Sequence, residues 1–178
     1  MEYRCKFAGF GGQGIISMGM LAAYAGMIDG KQVTFFPEYG IAMRGGMANC
    51  TVIVSDEAIA SPVVARPNVV VAMNDLSFDG FQPQVAPGGT LVVNSSLIKK
   101  KVSRPDIKAL YINATVIALE NGDGRMANMV MLGGLLKATG MISLEAVDQA
   151  MVKTFPAKLQ RLIGKNQEVL RLGYESVK

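Results

Sequence analysis

Apolar runs broken by glycine and proline set the rhythm of the first two thirds of the chain, and helical spacing sets that of the last third. Tyr3 to Phe10 is short and apolar and reads as a first strand. A glycine turn follows. Ile15 to Ile28, rich in Met, Leu and Ala, then reads as a helix without a charged face. Such a helix has to be buried on several sides or lie at a subunit interface. Gly30 is a helix stop. Gln32 to Phe36 is a second strand, ended by Pro37. Residues 37 to 49, PEYGIAMRGGMAN, have no clean period and read as a loop, where function tends to lie when a rigid sheet holds it. Cys50 to Val54 is a third strand. Asn68 to Met73 is a fourth, Val-rich as in strands buried on both faces. Asn74 to Phe81 reads as a short helix, Thr90 to Asn94 as a fifth strand after the Pro87-Gly88-Gly89 turn, and Ala109 to Ile112 as a sixth.

Beyond that point the pattern turns helical. Ala114 to Glu120 and Asn128 to Lys137 are two candidates. Ser143 opens a third, with Leu144, Val147 and Met151 on one face, and Lys158 to Tyr174 is a fourth, striped by Leu159, Leu162, Ile163 and Leu170. Strands alternating with helices, then helices alone, predict a three-layer α/β/α domain over residues 1 to 178 with a helical C-terminal part; strand order is not readable from the pattern. The 22 uncharged residues from Phe7 to Ile28 are long enough to span a membrane, but Gly9, Gly11, Gly12 and Gly14 crowd their first third. A strand, a turn and a buried helix fit them better.

Composition narrows the chemistry. The chain has 178 residues, 50% of them hydrophobic and 18% charged, which suits one domain with a real core. It has no histidine, which removes Ser-His-Asp, Cys-His and His-metal schemes. Cys5 and Cys50 are too few for a four-cysteine iron–sulfur or zinc site, so no metal ligands are assigned and any cluster belongs to another chain. Eighteen basic and fourteen acidic residues, sparse aromatics and no Trp argue against nucleic-acid binding. Two cysteines and no apparent cleavable signal point to the cytoplasm, with no membrane partner.

Gly9-Phe10-Gly11-Gly12-Gln13-Gly14 satisfies GxGxxG between a predicted strand and a predicted helix. Glycines allow close backbone approach, and the helix start offers free N–H groups to an anion. Three readings stay open: a packing turn, a phosphate-bearing ligand site, and a dinucleotide site in which Glu38 holds a ribose hydroxyl. Arg44, followed by Gly45 and Gly46, presents a fork suited to carboxylate or phosphate, with Tyr39 and Glu38 in the same loop; a plain turn with a solvated Arg is the alternative. Lys99, Lys100, Lys101 and Arg104 read as a solvated loop, or else as a landing patch for an acidic partner. Cys50 is assigned no role. Met126, Met129 and Met131, among Leu132, Leu135 and Leu136, read as core, or else as an oligomer contact. The two apolar helices predict that the isolated chain self-associates as a symmetric homodimer.

GFGGQG, FPEYGIAMRGGMANCTVIVSDEAIASPVV and NVVVAMN together resemble the gamma subunit of 2-oxoacid:ferredoxin oxidoreductases over roughly the first 140 residues. MRGGMANC is closer to the 2-oxoglutarate and branched-chain ketoacid types than to the pyruvate type. The resemblance implies a mixed, mostly parallel sheet and a subunit, inactive alone, of a complex with alpha, beta and ferredoxin-like delta chains. That complex oxidatively decarboxylates a 2-oxoacid, forms its acyl-coenzyme A and reduces ferredoxin. Thiamine diphosphate and 4Fe-4S clusters are implied on the partners, with coenzyme A the one ligand that would touch this chain. Gly11, Gly12, Gln13 and Gly14 fall on the family's glycine loop, and Tyr39, Gly40, Arg44, Gly45 and Gly46 on its second loop; no catalytic residue is implied. Where the family often reads SYGPEMRGG, this chain has Glu38 before Tyr39 and Ile41-Ala42 after Gly40, so the acid is displaced four residues toward the N-terminus.

Overall fold

The computed structural model describes residues 1–39 and 46–177. Six strands form one sheet: β1 (Glu2–Phe10), β2 (Gln32–Tyr39), β3 (Met47–Ser55), β4 (Val69–Ala72), β5 (Thr90–Asn94) and β6 (Lys108–Ile112). Their order is β2-β3-β1-β4-β5-β6. β1, β4, β5 and β6 are parallel neighbours, and β3 runs against both β1 and β2. Every strand but β3 therefore points the same way, which makes the sheet mixed and mostly parallel.

Helices cover both faces. α1 (Ile15–Ile28), α3 (Ala114–Glu120) and α4 (Ala127–Thr139) lie over the larger core, with α5 (Leu144–Thr154) packed on α1 and α6 (Ile163–Glu175) on α4. That core holds Phe7, Leu21, Val52, Leu132 and Val147. On the opposite face, α2 (Asp75–Phe81) contributes Phe78 to a smaller core with Val70, Leu91 and Val93. Met129 and Met131 are buried in the larger core, as the core reading of the methionine cluster expects.

The uncharged α1 has a steric explanation. It is wedged between the sheet and α5, and only Ser17, Tyr24 and Met27 are exposed along it. A Cβ on Gly19 would come within 2.3 Å of Cys50 Sγ, so the helix lies almost against β3. No helix among the described residues is long and apolar enough to cross a membrane.

Three expectations change. The loop read at residues 37 to 49 shortens, because β2 continues through Pro37 to Tyr39 and β3 begins at Met47. Pro37 is tolerated because β2 is an edge strand and its proline can face away from β3. The helix read from Lys158 begins only at Ile163; residues Ala157–Leu162 form a 3-10 turn, and Leu159 and Leu162 stay partly exposed while Val169 and Leu170 carry the core contact. The basic run is not simply solvated. Lys99 donates to the Ser95 carbonyl at 2.9 Å, Lys100 pairs with Asp79 at 2.6 Å, and Lys101 sits 4.4 Å from the Tyr111 ring centroid. Arg104 pairs with Asp106 and donates to the carbonyls of Gln82, Pro83 and Val85, closing the end of the 3-10 turn that follows α2.

α4 and α6 cross at glycine. A Cβ on Gly173 would lie 2.0 Å from the Val130 carbonyl oxygen, and one on Gly133 1.9 Å from that of Leu170. Backbone atoms cannot yield as a flexible side chain would. Gly173→Ala is therefore expected to lose about 2 kcal/mol despite its better helix propensity, lowering Tm by about 5 °C in a thermal melt. An unchanged or raised Tm would mean that the helices separate without cost.

Candidate functional site

The carboxyl ends of β1, β4, β5 and β6 open on one edge of the sheet. After β1 the chain passes to α1 on one face, and after β4 to α2 on the other. That divergence makes the β1–β4 boundary a topological switch point, where open α/β sheets characteristically leave a crevice for ligands. Here a cavity of about 210 Å³ is lined by Gly12, Gln13, Met73, Leu97, Thr115 and Arg125, among others.

The glycine turn forms its floor. Gly12 and Gly14 have φ of 98° and 72°, left-handed values that a residue with a Cβ would reach only under strain. Gly14 is the N-cap of α1, and its carbonyl accepts from Met18 N at 2.9 Å. No side chain caps α1, so its first-turn N–H groups have no side-chain acceptor at the helix start that follows Gly12 and Gln13 of the crevice lining. Three distant parts of the chain hold the turn. Gly11 N donates to the Gly46 carbonyl at 3.0 Å, joining the turn to the start of β3. Asn128 Nδ2 donates to the Gly14 carbonyl at 3.2 Å and occupies the space a Cβ on Gly14 would need, 2.3 Å away. Gln13 supplies the third tie. Its Oε1 accepts from Phe10 N at 2.7 Å and from Asn74 Nδ2 at 3.2 Å, and its Nε2 donates to the Met73 carbonyl at 3.4 Å. Asn74 in turn caps α2 by accepting from Ser77 N at 2.8 Å. One amide therefore couples the starts of both helices across the switch point.

The far wall comes from the β5 and β6 ends. Asn94 Nδ2 donates to Thr115 Oγ1 at 2.9 Å, and Ser96 Oγ accepts from Thr115 N at 3.0 Å. Arg125 stands at the mouth, its side chain 86% exposed, paired with Asp123 at 2.6 Å. That guanidinium holds the Asp123 carboxyl below the usual carboxylate range.

Residues 4–176 match the family model for pyruvate ferredoxin/flavodoxin oxidoreductase. The chain belongs to that family. It is 39% identical over 176 residues to a ketoisovalerate oxidoreductase subunit VorA of Methanothermobacter thermautotrophicus, covering 98% of this chain but only 36% of that protein's length. It is 32% identical to a 2-oxoglutarate synthase subunit KorC of Methanocaldococcus jannaschii, covering all of this chain and 95% of that one. A solved keto/oxoacid ferredoxin oxidoreductase gamma subunit from Geobacter sulfurreducens superposes with a TM-score of 0.85 at 30% identity, over 98% of this chain and 95% of its own. The likeness to gamma subunits drawn from the three motifs is thus shown, together with the α/β fold.

Within this oxidoreductase fold the sequence-predicted residues separate. Gly11, Gly12, Gln13, Gly14 and Gly46 come together at the switch point. Tyr39 ends β2. Gly40, Arg44 and Gly45 lie outside the described residues, as do Ile41 and Ala42. Glu38 is engaged elsewhere. Both its oxygens accept from Lys6 Nζ at 2.8 Å, across β3, where Lys6 also donates to Thr51 Oγ1 at 3.3 Å. The dinucleotide reading needs the acid-bearing strand beside β1, but antiparallel β3 separates β2 from β1. Cys5 and Cys50 are both buried and free, and burial pushes the Cys50 thiol up to about 12, consistent with no assigned role. Asn128, Thr115 and Arg125 are site residues that the sequence reading missed, and only Asn74, as an Asn opening a predicted helix, carried a legible signal.

Gln13→Ala removes the acceptor for a backbone N–H and for Asn74. A loss of about 1–3 kcal/mol is expected, with faster amide exchange at Phe10 and at the start of α2. Unchanged exchange at both places would show that the turn is held without Gln13.

Proposed function

We propose that this chain is the gamma subunit of a thiamine diphosphate-dependent 2-oxoacid:ferredoxin oxidoreductase, and that its crevice takes a phosphate-bearing part of coenzyme A. The observation that carries the reading is the switch-point crevice, with Gly12 and Gln13 in its lining immediately before the uncapped start of α1. The family match supports the reaction class. Coenzyme A, when bound, supplies the thiol that accepts the acyl group. A cavity of about 210 Å³ fits a phosphate-bearing end and not the whole molecule, so the remainder would lie against partner chains.

The residues present fit that role. First-turn N–H groups of α1 would donate to phosphate oxygens, Gly12 leaves room for close approach, and Gln13 and Asn128 keep the turn in place. Arg44 remains the side chain proposed to add a bidentate cation from the neighbouring loop. Thiamine diphosphate, the 4Fe-4S clusters and the alpha, beta and delta chains are proposed as the companions, in the cytoplasm. Coenzyme A is the one ligand proposed for this chain.

2-Oxoglutarate is the proposed substrate, from the MRGGMANC loop and the KorC likeness. The 39% identity to a VorA protein favours a branched-chain 2-oxoacid as the second reading. Assembly of this chain with its co-encoded companions, followed by ferredoxin reduction, tests both. Turnover on 2-oxoglutarate above that on 3-methyl-2-oxobutanoate is expected, and the reverse ranking selects the second reading. Arg44→Ala is expected to raise the coenzyme A KM about tenfold or more, equivalent to about 1.4 kcal/mol of lost binding. Turnover by this chain without companions, or no turnover in the assembly on either acid, would contradict the proposal.

A further inference from the structure

One of the two acid-free basic stretches of this chain lies between α5 and α6. Residues 153–165 carry Lys153, Lys158, Arg161 and Lys165 and no acid. That stretch is +4 by itself, as is the run Lys99 to Arg104, but three of the latter's cations are engaged by Asp79, Asp106 and the Ser95 carbonyl. Lys165 pairs with Glu168 at 2.8 Å, while Lys153, Lys158 and Arg161 make no ion pair among the described residues.

The stretch is also built around an apolar opening. In the 3-10 turn Ala157–Leu162, residues three apart eclipse one another. Leu159 and Leu162 therefore form one stripe, and Lys158 and Arg161 form another beside it. The leucine stripe lines a cavity of about 290 Å³ together with Met20, Met126, Met129 and Phe155. Gln160 fastens the turn, donating to the carbonyls of Phe155 at 2.9 Å and Val152 at 3.3 Å. The leucines of the lining stay open to solvent, Leu162 40% exposed and Leu159 37%, and Val152 near the end of α5 is 57% exposed. An uncharged stripe leads away from it along α1, because Met20, Tyr24 and Met27 share one helical face and the last two are exposed.

We propose that this face docks an acidic protein segment that inserts a large apolar side chain into the cavity. The cavity's own charged lining, Asp123 and Arg125, is paired, while the unpaired Lys158 and Arg161 flank its leucine stripe in the same turn. An apolar opening beside unpaired cations has the anatomy of an interface: a buried anchor supplies affinity, and neighbouring charge supplies steering and partner choice. The cations select the occupant. A second copy docking symmetrically on the same patch would set three unpaired cations against another three, so self-association through this face is disfavoured. The cations are spread over thirteen residues beside an apolar helix stripe, which matches an extended partner better than a single small anion.

Methyl NMR on the full chain, labelled at methionine, tests this. The probe is a short Asp- and Glu-rich peptide with one central Phe. Shifts are expected at Met20, Met126 and Met129, lost when the peptide's Phe becomes Ser. Lys158→Glu with Arg161→Glu, both exposed and unpaired, should leave Tm unchanged and weaken the peptide about tenfold or more, and added salt should do the same. Absence of shifts at these methyls, or binding indifferent to charge reversal, overturns the proposal. So does a silent peptide where decanoate shifts the same methyls, which would make the cavity a small-molecule site. Phosphatidylglycerol vesicles bound through these cations without the peptide would make this face a membrane contact, and a concentration-dependent dimer perturbing these methyls would assign it to a second copy.

Discussion

The turn at residues 11–14 can exist only because backbone and amide groups from three remote places meet it without a side chain in between. Gly14 leaves room for Asn128, Gly11 reaches the Gly46 carbonyl, and Gln13 folds back onto Phe10, Met73 and Asn74. The contacts run from 2.7 to 3.4 Å and converge on one turn, so none can shift far without releasing a partly buried polar group. The start of α1, the start of α2 and the edge of α4 are placed by the same few atoms. The crevice is a consequence of that placement, since it is the gap left where α1 and α2 depart to opposite faces.

Burial and charge divide the remaining work. The larger core takes α1 between the sheet and α5, which explains a helix without a polar face and removes the need for a partner to cover most of it. What stays outside includes a methionine and tyrosine stripe on α1, and the turn between α5 and α6 with its neighbouring cations. The crevice and the leucine-lined cavity flank Arg125, which lines both. On the proposed readings, the crevice takes the anionic ligand and the second surface a companion chain.

Much of this was legible beforehand. β1, β5 and α1 were visible as apolar runs between glycine or proline, and the GxGxxG spacing pointed to the turn now found at the switch point. β2 and β3 were visible in part, but the extension of β2 through Pro37 to Tyr39 and its pairing with β3 were not, because Pro37 breaks the alternation that marks a strand and nothing local reveals that β2 is an edge. Strand order was equally hidden, since pairing depends on register between distant segments and not on periodicity. Leu159 and Leu162 fall at helical spacing, but Gln160 ties their turn to the end of α5 and leaves it outside the core. Asn128 lies 114 residues from Gly14, and no sequence spacing links the two. The glycine turn of the site could be read early, while the side chains that hold it in place could not.

Hydrogen exchange on the assembled complex, with and without coenzyme A, tests the crevice most directly. Slower exchange confined to the glycine turn and the first turn of α1 is the predicted result. Unaltered exchange there, in an assembly that turns over and saturates with coenzyme A, would contradict the assignment.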